Sequence, residues 1–342
     1  MPGPPIPIRP RRPSSGNLIE QLANRVIGQP QATAQIVPYL QMHRAGLAPE
    51  GRPAGVFLLL GPTGTGKTRT VEALAEVLHG SEKSVLKVDC GEFQMEHEVA
   101  KLIGAPPGYL GHRETQPLLT QQKLSAVTSE GSNLSLVLFD EIEKAAPSMT
   151  RLLLGVLDKA ALRLGDNTSV NFERAMIFLT TNLGARAMQK EINPDFGFET
   201  ALPPTQRGSE AKLKSIGMHE VRRRFSPEFV NRIDAVIAYR PLGAESLAAI
   251  LDQQIAILQR HIKNRLEERA FELEVGAEAR GLLLRLGTSL EFGARELKRT
   301  ILRQVTQQLA AMVEVGGIAP GAVVRAEVAP DGESILLEVE GD

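Results

Sequence analysis

The stretch VFLLLGPTGTGKT, Val56 to Thr68, decides how the rest of the chain is read. Five apolar residues, Val56 to Leu60, run directly into Gly61-Pro62-Thr63-Gly64-Thr65-Gly66-Lys67-Thr68. A run this apolar fits a strand buried on both faces of a parallel sheet. The small residues after it let consecutive backbone N–H groups turn inward around a phosphate, at the positive end of a following helix. That helix is written in the spacing of Val71, Leu74, Ala75 and Leu78, with Gly80 where it would stop. Strand, glycine loop and helix in this order make Pro62 to Thr68 a nucleotide-binding stretch: Lys67 neutralises β- and γ-phosphate oxygens and Thr68 offers a hydroxyl to Mg2+.

Working outward, four more apolar runs end at polar or turn residues: Val85–Asp89, Leu136–Asp140, Met176–Thr180 and Ala235–Tyr239. Helical patterns separate them, so the expected fold is α/β, a doubly wound five-stranded parallel sheet. The third run delivers Asp140 and Glu141 side by side at its carboxyl end, where open α/β sheets place ligands. Asp140 can hold the magnesium, and Glu141 can orient and deprotonate an attacking water. An acidic pair at a strand end also serves as a solvated helix start. The fourth run ends in Thr181-Asn182, an amide placed to hold that water, or a turn residue.

Bulk properties bound the function. Net charge is −1, Trp is absent and aromatics are 4% of 342 residues, so neither a global basic field nor aromatic-studded groove points to nucleic acid. No apolar run reaches the ~18 residues of a membrane span. A lone cysteine, Cys90, and no leader pattern fit a reducing, cytoplasmic setting. Residues 1–16, with six prolines, three arginines and no acid, read as an extended solvated tail.

After residues 17–240 the pattern changes, and 241–342 is expected to form a smaller, mostly helical domain. Leu247, Ile250, Leu251, Ile255, Leu258, Ile262 and Leu266 mark one long amphipathic helix, and a second runs from about Gly293 to Val315. VVRAEV and ILLEVE, separated by Asp331-Gly332, read as a terminal β-hairpin, with no strand for some eighty residues before it. Two prolines and three glycines mark LIGAPPGYLGH, Leu102 to His112, as a loop with Tyr109 and Leu110 at its middle. Pro38 is expected to interrupt an early helix.

With these residues in hand, the chain resembles the Clp family of AAA+ unfoldases, specifically the second ATPase module of ClpB and ClpC, as a single-module protein. The similarity runs from about Arg25 to the end, through RVIGQ, GPTGTGKT, GAPPGYLG, LFDEIEKA, TTN, FSPEFVNRID and FGARELKR in order. The resemblance implies an ATP hydrolase that uses ATP and Mg2+, a hexameric ring of identical subunits and an unfolded or aggregated protein as substrate. It assigns Val26 and Ile27 to the adenine pocket, Asn182 to the first sensor and Arg295 to the second, on a helical lid. Arg232 becomes the arginine finger reaching a neighbour's ATP, with Arg222, Arg223 and Arg224 as rivals and a local ion pair to Asp234 or Glu228 as the plain alternative. Gly108, Tyr109, Leu110 and Gly111 become the pore loop that grips polypeptide, tyrosine offering broad apolar area and few rotors to freeze. Phe196-Gly197-Phe198 lies where protease-linked members carry a tripeptide that docks on a ring peptidase. An AAA+ switch that remodels a protein or nucleic-acid complex without threading is the alternative.

Overall fold

The computed structural model describes residues 15–104, 117–192, 209–289 and 293–340. These fall into two compact units. The first takes the described residues within Met1–Leu60, Lys67–Gly184 and Lys214–Ala238; the second takes those within Gly61–Gly66, Ala185–Leu213 and Tyr239–Asp342.

In the first unit the chain lays down β1 (Gly55–Leu60), β2 (Leu86–Asp89), β3 (Ser135–Asp140), the short pair β4 (Ala161–Arg163) and β5 (Ser169–Asn171), then β6 (Ala175–Thr181) and β7 (Ala235–Ala238). Five of them form one sheet in the order β2-β3-β6-β1-β7, every neighbouring pair parallel. All five expected runs are therefore strands of one sheet. Every residue of β1 and β6 is buried, which is why these strands read as unbroken apolar runs. Phe57 and Phe178, partners across β1 and β6, stack with centroids 5.1 Å apart at 17°, and Tyr39 meets Phe57 edge-on at 5.0 Å.

Local signals set the helices. Lys67–His79 follows the phosphate loop and stops at Gly80, whose φ of 77° suits a helix end. Ser15–Ala23 begins inside the stretch read as an extended tail, of which residues 1–14 lie outside the described residues. Pro30–Arg44 runs through Pro38 without a break, contrary to the sequence expectation. An interior proline costs about 3 kcal/mol, and burial of Ile36, Val37 and Leu40, each 1% exposed, offsets it.

The second unit contains the long helix Ala244–Leu266, β8 (Glu272–Val275), the helix Ala277–Gly287, a helical stretch spanning 294–314 with a π-helical turn at 302–306, and β9 (Val323–Val328) and β10 (Ile335–Glu340). The expected hairpin is present, antiparallel from Ile335↔Val328 to Glu340↔Val323. It is joined by β8, which pairs parallel to β9, so the strand-free interval read from sequence is corrected to a three-stranded sheet, β10-β9-β8. Among the described residues no helix is long and apolar enough to cross a membrane.

Candidate functional site

Strand order builds the site. Because β6 lies between β1 and β3, the carboxyl ends of three adjacent strands bring Leu60, Thr180 to Asn182, and Asp140-Glu141 next to one another. In the phosphate loop, Gly64 and Gly66 have φ of 75° and 102°, conformations a side chain resists, and Thr65 Oγ1 donates to Pro62 O at 2.9 Å.

Lys67, 8% exposed at the first turn of its helix, donates from Nζ to Asn182 Oδ1 at 2.8 Å. Asn182 Nδ2 donates to Glu141 Oε1 at 3.2 Å, and Asn182 N donates to Glu143 Oε1 at 3.0 Å. Asn182 thus links the loop lysine to the acid that follows β3. Lys144 Nζ lies 2.5 Å from Glu141 Oε2, and that carboxylate holds the Lys144 ammonium above its usual pKa.

Asp140 is separately held. Thr180 Oγ1 donates to its Oδ1 at 2.5 Å while accepting from Glu141 N at 2.9 Å, so one hydroxyl serves both acids of the pair. Lys87 Nζ lies 3.0 Å from Asp140 Oδ2. Lys87 stands opposite Leu138 in the β2–β3 register, which makes Asp140, two residues on, its diagonal neighbour on the same face. Burial alone would raise the Asp140 carboxyl, but the Thr180 hydroxyl and the Lys87 ammonium outweigh it and keep the group below the ordinary carboxylate range. Beneath, burial with Asp140 and Asp89 nearby pushes the Cys90 thiol up, so it stays protonated and inert.

Glu141 itself has φ 57° and ψ 51°, a left-handed conformation that costs an L-residue about 1–2 kcal/mol. Such strain persists where surrounding bonds over-determine it, and it gathers at working sites. Lys87, Thr180, Glu143 and Lys144 were not singled out from sequence. Thr180 carries a signal, two residues before Asn182 on one strand face; Lys87 has one only once the β2–β3 register is known.

Other expected site residues are placed as follows. Val26 is 5% exposed in the turn before the helix Pro30–Arg44, and Gln31 Nε2 in that helix's first turn donates to Ala238 O, the last residue of β7, at 3.0 Å. Ile27 adjoins it, half-buried. Arg232 Nε pairs with Asp158 Oδ1 at 2.9 Å, neither Asp234 nor Glu228 being its partner; Asp234 instead meets Arg52 at 3.3 Å and accepts from Val56 N at 2.8 Å. Arg224 is engaged by two backbone carbonyls of its own chain, Glu143 O and Ala145 O. In the second unit Ala294 N donates to Gly64 O at 3.2 Å, and Arg295 beside it is exposed. Gly108, Tyr109, Leu110, Gly111 and Phe196-Gly197-Phe198 lie outside the described residues.

The expected metal-holding residues are Thr68, in the first turn of the helix Lys67–His79, and Asp140. Thr68 and Asp140 supply a hydroxyl and a carboxylate kept ionised despite burial, and among the described residues no group of three or more His, Cys, Asp or Glu could hold a metal alone. That sparse, hard-oxygen set suits Mg2+, which takes one or two protein oxygens and completes its shell with phosphate and water.

The family model described as AAA domain (Cdc48 subfamily) matches residues 52–236, and that of the C-terminal D2-small domain of ClpB protein matches 242–326. The chain is 36% identical over 318 residues to the chaperone protein ClpB of Pseudomonas putida, covering 93% of this chain and 34% of that protein. It is 37% identical over 305 residues to ClpB of Meiothermus ruber, covering 89% and 33%. A closed-state cryo-EM reconstruction of Hsp104 with ATPγS and FITC casein superposes with a TM-score of 0.76 at 27% identity, over 95% of this chain and 51% of that one. The chain spans about a third of the length of the curated relatives it matches.

Proposed function

Because the chain belongs to the AAA domain family, Cdc48 subfamily, and continues into a small domain of the ClpB type, we propose that it hydrolyses ATP at subunit interfaces of a hexameric ring and pulls unfolded or aggregated protein through the centre. The observation that carries the ATPase reading is the chain of contacts Lys67–Asn182–Glu141 across adjacent strand ends. Lys67 has three N–H donors and can serve a phosphate while holding Asn182. Pro62 to Gly66 would wrap the β-phosphate, with Val26 and Ile27 against the adenine. Thr68 and Asp140 would hold Mg2+, which when bound neutralises charge on the β- and γ-oxygens. Glu141, steadied by Asn182, takes the proton of the attacking water.

Arg295 on its own chain and Arg232 from a neighbour would meet the γ-phosphate charge; an arginine supplied this way is worth ~10³–10⁵ in rate. Arg232 would have to exchange Asp158 for the neighbour's nucleotide. That pair is about two-fifths exposed on both sides, where an ion pair is weak and readily given up. Pulling rests on the likeness of GAPPGYLG to the family's pore loop and on relatives that are chaperones. Phe196-Gly197-Phe198 is the candidate contact for a ring peptidase.

The test pairs two variants of the full chain. Glu141→Gln is expected to keep ATP binding and lose about 10²–10⁴ in turnover; normal turnover would remove the base assignment. Tyr109→Ala is expected to keep ATPase and stop unfolding of a fluorescent substrate, and unfolding that survives would remove the pulling reading.

A further inference from the structure

We propose that Arg224 is a positioning residue for ATP hydrolysis: it braces the turn that carries Glu141 and so keeps the carboxylate on Asn182. The inference rests on the reading of Glu141 as the base.

Arg224 ends the helix Glu210–Arg224, some eighty residues along the chain from the turn it grips. Its Nε donates to Glu143 O and its Nη2 to Ala145 O, both at 3.0 Å. These carbonyls belong to the last turn and the C-cap of the one-turn 3-10 helix Ile142–Lys144, whose N-cap is Glu141. Guanidinium is planar and forked, so engaging two carbonyls two residues apart fixes the shape of the turn as well as its distance. The fork is itself steadied. Its carbon lies 5.7 Å from the Phe225 ring centroid, and Phe225 stacks on Phe229 at 5.1 Å in a short helix capped by Ser226.

The turn needs a brace because Glu141 sits in the left-handed region. At its near end it is tied by Thr180 Oγ1 on Glu141 N, and by Lys144 N on Glu141 O at 2.9 Å. At its side Glu143 accepts from Asn182 N. The far end is held by Ala146 N on Phe93 O at 2.8 Å and by the Arg224 fork. Removing the fork leaves Glu141 free to relax toward ordinary backbone angles, which turns its carboxylate away from Asn182. The hydrogen bonds of the Arg224 fork go to the turn after β3, so nucleotide affinity should be spared while the chemical step suffers. A displacement of the order of 1 Å at such a group lowers rate by up to about 100-fold.

The experiment measures kcat for ATP, affinity for a fluorescent ADP analogue and melting temperature in the full chain carrying Arg224→Ala, Arg224→Lys, Glu141→Gln or Lys212→Ala. The last removes a charge from the exposed face of the same helix. Arg224→Ala is expected to lose about 10- to 100-fold in kcat with analogue affinity within about twofold. Arg224→Lys, which keeps the charge but not the fork, should fall between Arg224→Ala and the unaltered chain, and Lys212→Ala should behave as the unaltered chain. Should Arg224→Ala fail to fold, Arg224→Lys decides: reduced kcat at unchanged affinity supports the brace, unaltered kcat overturns it. An equal fall in kcat and affinity would mean general damage to the pocket and would also overturn it. If Glu141→Gln loses turnover while Arg224→Ala does not, only this inference falls. If Glu141→Gln turns over normally, the base assignment falls and takes the inference with it.

Discussion

The two sheets of this chain use polar groups in opposite ways. The five-stranded sheet is apolar along the length of its inner strands and places Asp140, Glu141 and Asn182 at or just past their carboxyl ends, where Asn182 joins Glu141 to Lys67 and Asp140 meets Thr180 and Lys87. The three-stranded sheet alternates along each strand, with β9 and β10 showing Val324, Ala326, Ile335 and Leu337 inward and Arg325, Glu327, Leu336 and Glu338 outward. Across its exposed face Arg325 pairs with Glu274 and Glu340, and amide side chains close its edges. Gln259 offers its amide to β8 as a substitute strand, donating to Phe271 O at 3.0 Å and accepting from Leu273 N at 2.8 Å. On the opposite edge Gln308 donates to Ile335 O at 2.9 Å and Gln304 accepts from Ile335 N at 3.3 Å. A site can be built at the strand ends of the first sheet because its interior needs no polar help. In the second sheet the glutamines are spent closing edges that would otherwise invite pairing with another chain.

The largest effect should come from breaking the core that lets the first sheet do without polar help. Phe178 is fully buried at the middle of β6 and stacked on Phe57. Phe178→Ala is expected to lower stability by about 3–5 kcal/mol, read as a shift in urea midpoint. Because β6 ends in Thr180 and Asn182, ATPase should fall with it. A loss below about 1 kcal/mol would mean the strand repacks, and the contrast between the sheets would not rest on apolar burial.

How far each sheet was legible follows from the same physics. Burial on both faces writes the uninterrupted apolar runs of β1 and β6, and all five expected runs became strands of the first sheet, β2 among them although Lys87 and Asp89 are exposed. The Asp331-Gly332 turn marked the β9–β10 hairpin. β8 was missed because Glu272-Leu273-Glu274-Val275 buries only alternate residues over four positions, too short a pattern to stand out, and because its partner β9 follows two helical segments later. In the site, Lys67, Asp140, Glu141 and Asn182 were legible because motif spacing and strand ends place them. Lys87 and Arg224 were not legible as partners, since a register and a fold of some eighty residues bring them to Asp140 and to the Glu143 carbonyl. Arg224 was read instead as a rival for the trans-acting role.

A smaller effect should come from opening one edge of the second sheet. Gln259→Leu keeps the bulk and removes both bonds to β8, an expected loss of about 1–2 kcal/mol because the exposed side of the strand still reaches water. Hydrogen exchange checks it by location. The Leu273 amide should exchange faster while amides of β6 stay protected; equal acceleration in both sheets would show that the edge was not closed by Gln259.

The smallest effect lies in the turn that joins β9 to β10, and its pH dependence has a definite sign. Asp331 Oδ1 accepts from Glu333 N at 2.9 Å and Ser334 N at 3.0 Å, and its Oδ2 accepts from Ser334 Oγ at 2.8 Å. The Glu333 amide first, then Ser334, hold this carboxyl below the ordinary value. A carboxyl lowered in the folded chain is stabilising when ionised. That contribution is full above the unfolded value of about 3.9 and fades as pH falls through the lower folded value. Asp331→Asn cannot ionise, so its disadvantage against the unaltered chain should be greatest near neutrality and shrink below about pH 4. The group is fully exposed, so the difference belongs to the hairpin and is best read as Ser334 amide exchange against pH in the two proteins, with β6 amides as the internal standard. A protection gap that stays constant from pH 7 to pH 3 would mean the turn is held by the Gly332 backbone alone, whose φ of 69° already favours it.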